Sequence, residues 1–208
     1  MSYLIELYKK IKRIKLIKQN RKRLINENFT ILSSNCVGGI IYHELGKQFL
    51  SPTINLYICP SDFIKFLSNL NKYLDALPMQ VNKNTDEYPI VKILDITIHG
   101  LHYKNFEEFV RKWESRKKRI NFDNIYIIML ERDGCTYEDL IAFDKLPFEN
   151  KIVFVHKEMP EIKSSYYIEG TTADGLDGHQ VVVLTDYISK YSYLKYIDKW
   201  DFVKFINN

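Results

Sequence analysis

Cysteine is scarce in this 208-residue chain: there are three, an odd number, and no two form a CxxC pair. That argues against a disulfide scaffold and the common zinc modules, and for a reducing compartment. Long apolar runs are missing as well. Nothing approaches the ~20 residues of a membrane-spanning helix, and lysines interrupt the first apolar positions, so neither a span nor a secretory leader is expected. The spacings GxxxxGK[ST] and GxGxxG are also absent, which excludes the two commonest nucleotide-loop readings. The expected location is the cytoplasm.

What is present suits one globular domain with a substantial core: 46% of residues are hydrophobic, with 15 Tyr and 12 Phe among them. Charge is unevenly spread. Of 30 basic and 26 acidic residues, nine basic and one acidic fall in residues 1–23, leaving a +8 arm before a −4 body. Leu4, Leu7, Ile11, Ile14 and Ile17 recur at helical spacing within that arm. Residues 1–26 therefore read as a basic amphipathic helix and residues 27–208 as a single α/β domain. Such a helix can lie on anionic lipid, which would make the protein peripheral at the inner face of the membrane. The alternative is a docked or dimer-forming helix whose charged face is solvated. Nucleic acid is not an expected partner, because the basic charge does not extend into the body and no recognition module is present.

Beyond the arm, strand and helix patterns alternate. Residues 29–32, 53–58, 90–98, 125–130, 152–155, 166–168 and 181–184 read as strands, with helices over 40–45, 63–74, 106–119, 137–143 and 193–206. Asn105 and Thr136 stand where helix caps are needed, the latter with Asp139 in the capping-box position. Asp174-Gly175 and Asp177-Gly178 mark turns. The expected architecture is a three-layer α/β/α domain around a mostly parallel or mixed sheet.

The stretch over residues 29–46 draws the chemistry together. Ligands in open α/β sheets sit at the carboxyl ends of strands. Here an apolar strand runs into Ser33-Ser34-Asn35-Cys36, then Gly38 and Gly39, then an amphipathic helix. The serines, Asn35 and the glycine N–H groups could hold a phosphate, with Arg116, Arg119 and Arg132 as guanidinium partners. The helix start would lower the Cys36 thiol pKa, giving a nucleophile, with His99, His102 or His156 as base from other strand ends. The plainer alternative is a small buried cysteine packed under the turn. Glu131 and Asp133 end a central strand, where an acidic pair could hold Mg²⁺ with substrate phosphates. Asp133 also counts among the substrate-binding candidates.

Taken together, Ser34 to Gly39, Ser51-Pro52, Asp62 to Leu67, His102-Tyr103, Trp113 with Arg116 and Arg119, Asp133-Gly134-Cys135, Phe143 to Pro147 and Trp200-Asp201-Phe202 resemble the bacterial family called domain of unknown function nineteen-nineteen. Its members are often labelled exopolysaccharide biosynthesis proteins. The resemblance implies a three-layer α/β fold and a link to surface polysaccharide, and it implies no reaction. This chain departs from it at Val37, where family members often carry a bulky aromatic. Two functions are open: a transferase or related enzyme acting on a phosphate-bearing sugar donor, such as a sugar nucleotide, or on a glycan; and a non-catalytic, membrane-apposed scaffold of the same machinery.

Overall fold

The structure is a computed structural model that describes residues 2–81, 87–172 and 180–208. It is a mixed α/β domain preceded by a long helix. Four parallel strands form the main sheet: β1 (Thr30–Ser33), then, skipping a separate meander, β5 (Ile125–Leu130), β6 (Lys151–Val155) and β7 (Ser165–Tyr167), side by side in chain order. Leu32 pairs with Ile127, Met129 with Val153 and Val155 with Tyr167. Side chains alternate across the strands, so Ile127 and Met129 enter one core while Tyr126, Ile128 and Leu130 enter another. Both faces are buried, which is why β5 reads as one unbroken apolar run.

One core is closed by α3 (Pro60–Ser68), α4 (Leu70–Asp75), α5 (Phe106–Lys117) and α6 (Tyr137–Asp144) around Phe63, Phe66, Phe109 and Trp113. The other is closed by α2 (Val37–Leu45), a 3₁₀ turn (Tyr196–Lys199) and α7 (Phe202–Asn207). The expected caps are in place: Asn105 Oδ1 accepts the Glu108 N–H, Thr136 and Asp139 form a reciprocal box, and Gly46 ends α2 at φ 69°.

Several element boundaries differ from expectation. Residues 90–98 are a hairpin, β3 (Ile90–Ile93) and β4 (Ile96–His99), turning at Leu94 with φ 54°. With β2 (Met79–Gln80) they form an antiparallel meander. Residues 53–58 are irregular, because Asn55 turns left-handed (φ 63°) and only Tyr57 bridges to His99. Ile58 N–H then donates to the Ser34 carbonyl (2.8 Å), which ties the meander to the end of β1. The helix expected over 63–74 is divided at Asn69, and the one over 193–206 at Trp200-Asp201, where Asp201 caps α7. Near 181–184, only β9 (Gln180–Val181) is a strand, paired with β8 (Thr171–Thr172). Residues 173–179, including Asp174, Gly175, Asp177 and Gly178, lie outside the described residues.

The first helix, α1 (Ser2–Arg23), is docked on the body, but by its charged side. Arg13 is buried between Glu44 of α2 and Asp198, donating to both. Burial disfavours its charge, but the hydrogen bonds and fields of those carboxylates outweigh this and push the Arg13 pKa up. Arg21 donates to the Glu44 and His43 carbonyls at the end of α2, and Arg23 pairs with Asp201. The alternative of a docked helix with a solvated charged face is corrected in part: Arg13 and Arg23 pair with carboxylates of the body, while Lys10, Lys12, Lys15, Lys18 and Lys22 stay exposed.

Candidate functional site

A cavity of about 260 Å³ opens at the carboxyl ends of β1 and β5. Val37, Leu101, Leu130, Val183 and Leu184 supply its apolar lining; Asn35, Cys36, Tyr57, Arg132, Asp133 and Thr185 supply its polar and aromatic groups. It sits where a parallel sheet leaves room between strand ends and loops. Four of the sequence candidates meet there: Asn35, Cys36, Arg132 and Asp133.

The β1–α2 corner is organised inward. Ser33 and Ser34 are buried and away from the cavity. Ser33 Oγ accepts the Gly38 N–H (3.1 Å) and donates to the Asn35 carbonyl (2.6 Å), while Asn35 Oδ1 accepts the Val37 N–H (3.1 Å). Two N–H groups at the start of α2 are therefore already used. The glycines are there for closeness: a Cβ on Gly38 would stand 2.6 Å from Ser33 Oγ, and one on Gly39 3.3 Å from Ile54 Cγ2. The expected cradle of glycine N–H groups is corrected accordingly, since Gly38 offers its amide to Ser33.

The thiol expectation is corrected too. Burial pushes the Cys36 pKa up, against the opposing pull of the Arg132 charge, so the group is a protonated thiol at neutral pH. Its Sγ faces the Leu56 carbonyl at 3.9 Å. None of the three expected imidazoles makes a hydrogen bond to it. His99 is one step behind the cavity wall, stacked on Tyr57 (centroids 4.2 Å apart, planes at 12°). Burial lowers the His99 pKa, and its buried Nδ1 has no hydrogen-bond partner among the described residues. His102 is exposed, with its N–H on the Asn55 carbonyl. His156 pairs with Glu131 instead: buried Glu131 Oε2 accepts from the His156 backbone N–H (3.0 Å) and meets ring Nδ1 at 2.7 Å. That contact orients the imidazole and leaves Nε2 as its outward nitrogen.

The β5 corner is organised outward. Arg132 Nε pairs with Asp133 Oδ2 (3.0 Å), and Asp133 (φ 56°) and Gly134 (φ 81°) are consecutive left-handed residues. Glycine adopts that conformation freely and aspartate tolerates it, so the chain swings out and leaves both side chains at the cavity. Glu131 points elsewhere, to His156, so the acidic pair expected to hold Mg²⁺ does not converge. Among the described residues no three His, Cys, Asp or Glu side chains gather as a metal site.

Arg116 and Arg119 belong to a different groove, along α5. Arg116 is buried, donating to Tyr103 Oη (2.8 Å) and the Ile54 carbonyl, with its guanidinium 5.2 Å from the Phe49 ring centre. Arg119 donates to Ser115 Oγ (2.9 Å). Burial, with Arg116 pulling the other way, pushes the Tyr103 phenol up to about 12, so it stays protonated.

Sequence reasoning missed Tyr57, Leu184 and Thr185. Tyr57 comes from a segment read as an ordinary strand, and Leu184 and Thr185 come from a loop more than fifty residues beyond β5 in sequence. The asparagine at 55 was the available signal for Tyr57, since that residue type is enriched in the left-handed conformation it adopts here.

A protein of Haemophilus influenzae (strain ATCC 51907 / DSM 11121 / KW20 / Rd), described as "Uncharacterized protein", is 39% identical over 188 residues, covering 90% of this chain and 88% of the relative. The family model described as Domain of unknown function (DUF1919) matches residues 7–207, from the second turn of α1 to the last turn of α7, and the chain belongs to that family.

Proposed function

We propose that the protein is an enzyme that takes a phosphate-bearing sugar into the cavity between β1 and β5 and transfers from it during surface polysaccharide assembly. The observation that carries this reading is the lining itself: among the described residues, one guanidinium, one carboxylate, one aromatic ring and an amide around a cavity of about 260 Å³. Arg132 supplies the charge and fork geometry that phosphate oxygens need. The Tyr57 ring gives a sugar face something to stack on. Asn35 and Thr185 offer hydroxyl-scale hydrogen bonds. Small-ligand pockets typically run from about 300 Å³ upward, so this one suits a sugar-phosphate head better than a length of glycan. The polysaccharide context rests on the sequence resemblance alone.

In the transfer step an acceptor hydroxyl oxygen attacks the anomeric carbon of the donor. Its proton passes to Asp133, the C–O bond to phosphate breaks, and the phosphate leaves with the electron pair against Arg132. Cys36 then contributes shape and a neutral thiol rather than a covalent intermediate.

Calorimetry with a panel of nucleoside-diphosphate sugars and sugar phosphates tests the reading. The wild-type chain is expected to bind at least one, and Arg132→Gln to weaken that binding by roughly tenfold to a hundredfold. Absence of binding across the panel at millimolar ligand overturns the proposal, and so does an unaffected Arg132→Gln.

A further inference from the structure

The outward face of α1 meets little of the described body: Tyr8 packs edge-on against Tyr193, and Tyr187 lies beside Tyr3, Leu7 and Ile14. Tyr3, Leu4, Leu7, Ile11 and Ile14 are exposed, Leu4 at 70% and Ile11 at 57%, while Lys9 and Arg13 of the same helix are 8% and 7% exposed. This inverts the usual arrangement, in which the apolar stripe of a surface helix faces the core. At about 100° per residue, Leu4, Leu7, Ile11 and Ile14 share an arc of roughly 80°. Lys15, Lys18 and Lys22 continue that same arc toward the C-terminal end, and Lys10 and Lys12 flank it. All five lysines are exposed, and none is in an ion pair with a described carboxylate. The sole acidic residue of the helix, Glu6, lies toward the docked side and pairs with Lys9 (3.5 Å).

From this we infer that α1 seats the protein on an anionic phospholipid surface, lying flat with its apolar arc in the headgroup boundary and its lysines among the phosphates. No helix among the described residues is long and apolar enough to cross a membrane, so the contact is interfacial. Charge complementarity selects the occupant. A second copy of this chain would set five lysines against five lysines, whereas an anionic bilayer meets them with phosphate. The helix needs no detachment to bind: Arg13, Arg21 and Arg23 hold it to Glu44, His43 and Asp201 with the apolar arc already turned outward. The body is thereby fixed in one orientation on the surface. This inference rests on α1 alone and is independent of the sugar cavity.

Cosedimentation of the full chain with phosphatidylcholine vesicles, with and without phosphatidylglycerol, tests it. Binding is expected only with phosphatidylglycerol and is expected to weaken as salt rises. Removing lysines of the outward arc (Lys15→Gln, Lys18→Gln, Lys22→Gln) should cost about fivefold per residue at low salt. Leu7→Glu with Ile11→Glu should abolish binding while leaving the melting temperature unchanged, since both side chains are exposed. Failure of the wild-type chain to sediment with phosphatidylglycerol vesicles overturns the inference. So does undiminished binding by the double variant. A wild-type dimer in light scattering that Leu7→Glu with Ile11→Glu dissolves would assign the face to a second copy and overturn it equally.

Discussion

At the corner after β1, Ser33, Asn35, Val37 and Gly38 satisfy one another's hydrogen bonds, and the glycines let the helix backbone close on the Ser33, Ile31 and Ile54 side chains. At the corner after β5, two left-handed residues swing the chain outward, and Arg132 and Asp133 are left facing a cavity, each the other's one charged partner among the described residues. Both corners are polar turns at the same sheet edge, and on paper the first is the richer in catalytic residue types. The difference teaches that a polar, glycine-bearing turn serves a ligand only to the extent that its donors and acceptors are not already used by the fold. The first corner builds the wall; the second presents the chemistry.

The sharpest way to break the comparison is Gly38→Ala. Its Cβ would stand 2.6 Å from Ser33 Oγ and 3.1 Å from Ile31 Cγ2, both on buried side chains, and that hydroxyl is held by its bonds to the Gly38 N–H and the Asn35 carbonyl. We expect a loss of about 2 to 3 kcal/mol in stability, read from urea or thermal unfolding. If Gly38 served ligand approach instead, the variant would unfold like the wild type and lose only binding.

What could be read from the sequence divides along the same line. Local rules found the caps at Asn105 and Thr136, the stop at Gly46 and the buried run of β5, because each depends on neighbours within a few residues. The β3–β4 hairpin was hidden because its turn uses Leu94 at positive φ, a residue with no turn preference. The orientation of α1 was hidden for a different reason. A helical wheel ranks Leu4, Leu7 and Ile11 as the docking face, but Arg13 finds Glu44 and Asp198, 31 and 185 residues away, and those partners decide which side is buried. The cavity was half legible: Asn35, Cys36, Arg132 and Asp133 end strands, while Tyr57 and Thr185 arrive from loops that only the tertiary fold brings near.

Val37 allows a gentler test. It is buried at the start of α2 and also lines the cavity, so it belongs to both the wall and the site. Val37→Phe adds ring volume where the packed side has none to give, and the ring can go only into the cavity. A stability cost of about 1 kcal/mol is expected. The same variant should lower binding of the sugar phosphate found by calorimetry by roughly tenfold or more, as the ring occupies ligand space. Strengthened binding would mean instead that the ring stacks on the sugar, and would place the ligand higher in the cavity mouth.

The smallest effect concerns Cys36, and it separates wall from reagent most directly. Its thiol pKa is raised above the ordinary 9.0 by burial, so the native state holds the proton more tightly than the unfolded chain does. Stability from this source is complete below pH 9 and is lost as pH climbs through the raised native value, because the unfolded thiol ionises first. Cys135, pushed up to about 12 by burial and by Asp139 and Glu131, acts in the same direction. Cys36→Ser should therefore change stability at pH 7 by no more than about 0.5 kcal/mol and should blunt part of the decline above pH 9. Alkylation of Cys36 by iodoacetamide, followed residue by residue in a mass spectrometer, should be slow at pH 7 and accelerate only above pH 9. Rapid labelling at neutral pH, faster than that of a cysteine in a short peptide, would reveal a thiolate and return the nucleophile to the mechanism.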